Sequence, residues 1–122
     1  MRWVLIGNFT PAVGAALTRH EQKPFEASEL GLPAGAGPFE LIKTAQSKQL
    51  DVITTDAELV NAIFEQKIYF NRAVVYLQLE GGDVEQDDAI DRLFERYKRL
   101  APGRLYTVTG SRVKVRQLPA KL

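Results

Sequence analysis

The sequence contains no cysteine. That excludes disulfides, zinc–thiolate sites and thiol nucleophiles, and it fits a reducing compartment. Histidine occurs once, as His20. It closes a helical stretch, where a partly cationic ring is favoured, and no Ser-His-Asp arrangement accompanies it, so it reads as structural. Long apolar runs are missing too: none approaches the ~20 residues a membrane span needs. The amino-terminal "MRWVLIGNF" holds one basic residue and an apolar run too short for a secretory leader. A cytoplasmic protein with no membrane partner is expected. A dominant charge is also lacking, with 16 Lys and Arg against 15 Asp and Glu and a net charge of +1. The global balance therefore gives no argument for nucleic acid.

That average hides an asymmetry. Between Glu80 and Glu95 stand seven acids and one base, Arg92; between Arg96 and Leu122 stand eight bases and no acid. Over residues 84–100 the split reads as one dipolar helix, acids near its amino end and bases near its carboxyl end. That reading does not reach Arg112, Lys114 and Arg116, which form a one-sign patch able to attract phosphate.

A chain of 122 residues, 45% of them hydrophobic, suggests one domain, residues 1–122, with a single real core. "RWVLIG", "LDVITT" and "AVVYLQL" are apolar, β-rich runs that read as buried strands, and "KPFEAS" is a further short candidate. Helices are predicted from "TPAVGAALTRH", capped by Thr10 with Pro11 at its first position, and from "PFELIKTAQSKQ", opened by Pro38. "DAELVNAIFEQK" and "VEQDDAIDRLFERYKRL" complete the set, the last placing Ile90, Leu93, Phe94, Tyr97 and Leu100 at helical spacing. "RLYTVTGSRVKVRQL" reads as a hairpin with a type II′ turn at Gly110-Ser111. Strands alternating with helices imply an α/β fold with a mostly parallel sheet covered on both faces. Ligands of such sheets bind beyond the carboxyl ends of the strands, here Ile6 to Asn8, Thr54 to Asp56 and Leu79 to Gly82.

"VITTDAEL" is the strongest local candidate for chemistry. Asp56 stands at a strand-to-helix turn and Glu58 two residues on, a spacing at which both carboxylates can face a hard cation. The same residues suit an N-cap and a first helical turn, and both readings stay open. Glu40, in the first turn of the helix opened by Pro38, is equally explained by the helix dipole. Asp51 begins a strand and is expected to belong to a turn. The glycines of "GLPAGAGP" lack the Lys-Ser/Thr of a phosphate-binding loop.

Taken together, these segments resemble the PIN-domain nuclease superfamily, and most closely a small bacterial branch of toxin-type PIN-like proteins. "MRWVLIGNF" is similar to that branch's opening Met-Arg-Phe-Leu-Leu-Asp-Glu-Asn-Leu. "SELGL", "PFE", "TTDAE" and "PGRLYTVTGSRVKVRQLP" follow at the matching places. The resemblance implies a three-layer α/β/α fold with a carboxyl-terminal hairpin. It also implies a Mg²⁺- or Mn²⁺-dependent ribonuclease whose clustered acids hold the metal. Carried over by position, Asp56 would be the main ligand, Glu40 and Glu58 would support it, and Asn8 would orient the site. Arg112, Lys114 and Arg116 could hold the RNA backbone. The chain departs from the pattern where it matters: Ile6 replaces the first-strand Asp, Gly7 stands where Glu is common, and Pro38 and Phe39 replace two further acids. Two readings follow. The preferred one is a catalytically impaired PIN-like module that binds RNA or protein, with a small antitoxin-like protein or a second copy as possible partner. The other is an active Mg²⁺/Mn²⁺ endoribonuclease using Asp56, Glu58 and Glu40.

Overall fold

The computed structural model describes residues 1–120; Lys121, the last of the eight carboxyl-terminal bases, lies outside them. Among the described residues six strands are formed: β1 (Arg2–Ile6), β2 (Lys23–Glu26), β3 (Asp51–Thr54), β4 (Val74–Leu77), β5 (Arg104–Val108) and β6 (Val113–Gln117). They make one sheet in the order β2-β1-β3-β4-β5-β6. Neighbours among β1 to β5 are parallel, and β6 returns antiparallel to β5. Four helices connect them: α1 (Pro11–Arg19), α2 (Pro38–Ser47), α3 (Ala57–Glu65) and α4 (Asp83–Arg96). None is long and apolar enough to cross a membrane.

Successive strand residues point to opposite faces, and the register aligns them into two cores. Trp3, Ile53, Val75 and Tyr106 face α1 and α4. Val4, Val52, Val74 and Leu105 face α2 and α3. This is the expected three-layer α/β/α arrangement. It explains why the strands read as continuous apolar runs, since β3 is buried along its whole length. Trp3 anchors the first core. It is fully buried, lies edge-on to Phe94 at 6.4 Å, and donates its indole N–H to Gln22 at 2.8 Å. Burying a side chain of this kind stabilises by about 2–3 kcal/mol, and satisfying its N–H keeps that gain.

The path of α4 is unusual. The step from β1 to β2 runs toward one end of the sheet with α1 on one face. The steps β2 to β3 and β3 to β4 run the other way with α2 and α3 on the opposite face. Reversing both direction and face preserves the hand, so these three crossovers share one. Such units are right-handed in about 98% of cases. The step from β4 to β5 runs in the same direction as the two before it, yet α4 packs beside α1. Its crossover therefore has the opposite hand. A second consequence is that, among the described residues, the outer strands β5 and β6 carry no helix of their own on the α2/α3 face.

Three sequence expectations change. First, α4 ends at Arg96 rather than running on to Leu100, and Tyr97 is already extended. Lys98 and Arg99 thus lie beyond the helix, and its dipole does not account for them. Asp87 and Asp91 are answered from α1 instead. Arg19 Nη2 lies 2.6 Å from Asp87 and 3.1 Å from Asp91, and His20 Nε2 lies 2.7 Å from Asp91. His20 also stacks on Phe94, with ring centroids 5.4 Å apart, which fits its structural reading. Second, the hairpin turn is not type II′, because Gly110 has no positive φ. The Thr109 hydroxyl accepts from Arg112 N–H at 3.2 Å, while Arg92 of α4 donates to the Gly110 carbonyl at 2.8 Å and the Thr109 carbonyl at 2.9 Å. A guanidinium fork holds this turn, rather than glycine geometry. Third, Asp51 begins β3 as expected but is buried within the ladder rather than placed in a turn. It accepts from Ala73 N–H at 2.8 Å and pairs with Arg72 at 3.4 Å.

Candidate functional site

The carboxyl ends of β1, β3, β4 and β5 open into a crevice of about 1000 Å³. In sheets of this order, that edge beside β1 and β3 is where ligands sit, because the connections there leave in opposite directions. Gly7 makes the crevice possible. Its φ is +131°, and a Cβ there would fall on the Thr55 hydroxyl. That hydroxyl accepts from Asn8 N–H at 2.9 Å, tying the loop after β1 to the loop after β3.

The opposite wall is set by Gln86 of α4. Its Oε1 accepts from Thr10 N–H at 3.1 Å and from the Thr10 hydroxyl at 3.3 Å. The Thr10 hydroxyl in turn caps α1 through Ala12 N–H at 3.3 Å. One amide thereby joins the amino ends of α1 and α4 and fixes its own orientation. Gln78 and Glu80, on the loop after β4, complete the polar lining. Among the described residues Glu80 is the only acid lining the crevice, and no base lines it. The site offers amides, hydroxyls and backbone groups: it can hold a polar group by hydrogen bonds but has no cation to meet a phosphate.

The residues singled out from the sequence are divided. Asn8 lines the crevice. Asp56, Glu58 and Glu40 are exposed at helix starts and do not line it. The Asp56 carboxylate caps α3, accepting from Glu58 N–H at 2.9 Å. Glu40 lies in the first turn of α2. Ile6 ends β1 with its side chain in the α2/α3 core beside Leu30, Ile42 and Leu59. A hard cation needs several oxygen ligands, carboxylates foremost. Among the described residues no three His, Asp or Glu side chains come together into a group that could hold a metal ion. The donor set is therefore a poor fit to a nuclease metal centre. Lys114 and Arg116 stand on the α2/α3 face of β6, with the Arg116 guanidinium 3.7 Å above the Phe64 ring, away from the crevice wall made by Thr10 and Gln86.

Thr10, Thr55, Gln78, Glu80 and Gln86 carry the site without having been singled out as site residues from the sequence. For Gln86 a signal existed: Gln86, Ile90 and Leu93 share one helical stripe, and a polar residue in an apolar stripe marks a buried hydrogen bond. Comparison with protein-family models, curated proteins and solved structures gives no match to this chain.

Proposed function

We propose that this chain is a PIN-like binding module that does not carry out metal-dependent ribonuclease chemistry. One observation carries the reading: the crevice at the carboxyl edge is lined by neutral polar groups and Glu80, and none of Glu40, Asp56 and Glu58 reaches its lining. The position that would hold the first acid is occupied by Ile6, 8% exposed and packed in the core. The remaining acids have local employment, Asp56 as an N-cap and Glu58 and Glu40 in first helical turns. The partner is taken to be a protein, because the crevice has no cation and two exposed bases, Lys114 and Arg116, sit on an open strand edge.

Cleavage of a mixed-sequence RNA in Mn²⁺ or Mg²⁺, comparing the natural chain with Asp56→Asn, tests the proposal. No metal-dependent cleavage above the variant's background is expected. Metal-dependent cleavage that disappears in Asp56→Asn overturns it.

A further inference from the structure

We propose that the outer edge of β6 is a docking strand for an extended, acidic segment of a partner protein, with carboxylates at every second residue. The inference rests on the binding-module reading and names its partner.

Among the described residues β6 is the last strand of the sheet, and four of its five residues are exposed. Its backbone supplies the first argument. Leu118 N–H donates to the Gly103 carbonyl and Thr109 N–H to the Arg112 carbonyl. Hydrogen-bonded and non-bonded pairs alternate in an antiparallel ladder. Residues 112, 114, 116 and 118 therefore bond inward to β5, and Val113, Val115 and Gln117 turn their N–H and C=O groups outward. Water solvates such a row, and another strand matches it group for group at its own spacing. The opposite edge, β2, is shorter and carries Pro24.

Side chains give the second argument. Lys114 and Arg116 project on one face of β6, and Val113 and Val115 on the other. Among the described residues neither Lys114 nor Arg116 has a carboxylate partner. Val115 is 38% exposed. A strand with alternating carboxylate and apolar side chains would pair both faces at once.

The same pattern rejects a second copy. In antiparallel self-pairing about Val115, Lys114 of each chain lies opposite Arg116 of the other. Shifting by a pair sets Lys114 against Lys114 or Arg116 against Arg116. Like charges directly opposite are destabilising, so the edge is guarded against itself and open to the opposite charge. Single-stranded RNA would use the cations but leave the outward backbone row unpaired. Phe64, the aromatic ring beside the cations, is already covered by Arg116.

The test is fluorescence anisotropy of a labelled peptide of alternating glutamate and valine, titrated with the full chain. A peptide of the same composition with its glutamates grouped, and a lysine–valine alternating peptide, are run beside it. The alternating glutamate peptide is expected to bind, and the other two to bind weakly. Lys114→Glu/Arg116→Glu should weaken it about tenfold and favour the lysine peptide. Val115→Pro removes one outward N–H without changing charge and should also weaken binding about tenfold. Circular dichroism checks that variant's fold, and the charge-reversal pair provides the independent reading. Equal binding of the grouped and alternating peptides, or full binding by a folded Val115→Pro, overturns the docking strand. So does a single-stranded RNA oligomer that binds more tightly than the peptide and depends on Lys114 and Arg116. RNA cleavage would instead overturn the proposed function, whatever the peptides do.

Discussion

The Thr55 hydroxyl occupies the space that a side chain at Gly7 would need, and accepts a hydrogen bond from Asn8 N–H at 2.9 Å. The two loops that frame the crevice are thereby locked together by a residue that has no side chain. The arrangement also says why an acid could not simply be introduced at position 7: any side chain there meets both a backbone φ of +131° and the Thr55 oxygen.

Gly7→Ala should destabilise the fold by about 2–4 kcal/mol, from backbone strain and overlap together. Thr55→Ala removes the overlapped oxygen, so the double variant should lose less than the sum of the two single losses. Urea midpoints of the four proteins measure this directly. Strict additivity would mean that Gly7 and Thr55 do not share the space described.

Ile6→Asp restores the acid that the family resemblance leads one to expect at the end of β1. It should cost about 3–5 kcal/mol, because the new carboxyl enters an apolar core without partners. It should confer no RNA cleavage in Mn²⁺. Thermal unfolding and the cleavage assay give the two readouts. A stable, cleaving variant would show that position 6 can serve the crevice.

Arg92 holds the β5–β6 turn through two carbonyls. Arg92→Ala should cost about 1–3 kcal/mol, as hydrogen bonds from charged groups do. Arg92→Lys should recover little of that, since a lysine ammonium cannot fork onto two carbonyls in one plane. Amide exchange at residues 109–113 should accelerate in both variants. Unchanged exchange would assign the turn to Thr109 alone.

Two carboxyls should give opposite pH responses. The hydrogen bond from His20, and after it that from Arg19, holds Asp91 below its ordinary value of 3.8. Its contribution to stability is present above that value and is lost as pH falls through the lowered one. Burial raises Asp51 above its ordinary 3.8, despite Ala73 N–H and Arg72. The folded chain therefore binds the Asp51 proton more readily than the unfolded one, and stability gained at low pH fades as pH rises through the raised value. Melting temperatures between pH 2 and 7 should show Asp91→Asn less sensitive to acid than the natural chain. Asp51→Asn should lack the stability gained on acidification, and the reverse pattern would contradict both assignments.

The layers and the helices were legible because their signals are local. Thr10 before Pro11, Asp56 before "AELV" and the apolar stripes each act within a few residues of chain. The fold's departures were not legible, because each is settled by a distant partner. Whether Lys98 and Arg99 extend α4 is decided where Tyr97 turns to lie edge-on to Tyr106, 5.3 Å between ring centroids. The hairpin turn is decided by Arg92, seventeen residues before Thr109. At the site, the stretch "TTDAE" ends a strand and opens a helix as expected, with Asp56 as the N-cap of α3. The residue of that stretch that lines the crevice is Thr55, and its role depends on a hydroxyl that meets a neighbouring loop, which the local sequence does not show. Gln86, although in register with the apolar stripe, was hidden by the acids that surround it.

The reversed hand of the last crossover gives the final third of the chain a shared fate. α4, β5 and β6 join the rest through the β4 ladder, through the seam of Arg19 and His20 with Asp87 and Asp91, and through the Thr10–Gln86 bond. Within the segment, Arg92 binds the hairpin to the helix. Opening this segment would have to break the core packing of α4 against α1 and Trp3 and the β4 ladder as well as the polar seam, which makes the three elements one cooperative unit. The far wall of the crevice and the open strand edge would then come apart at a common free energy. Anything that fastened either one would raise the cost of opening the other.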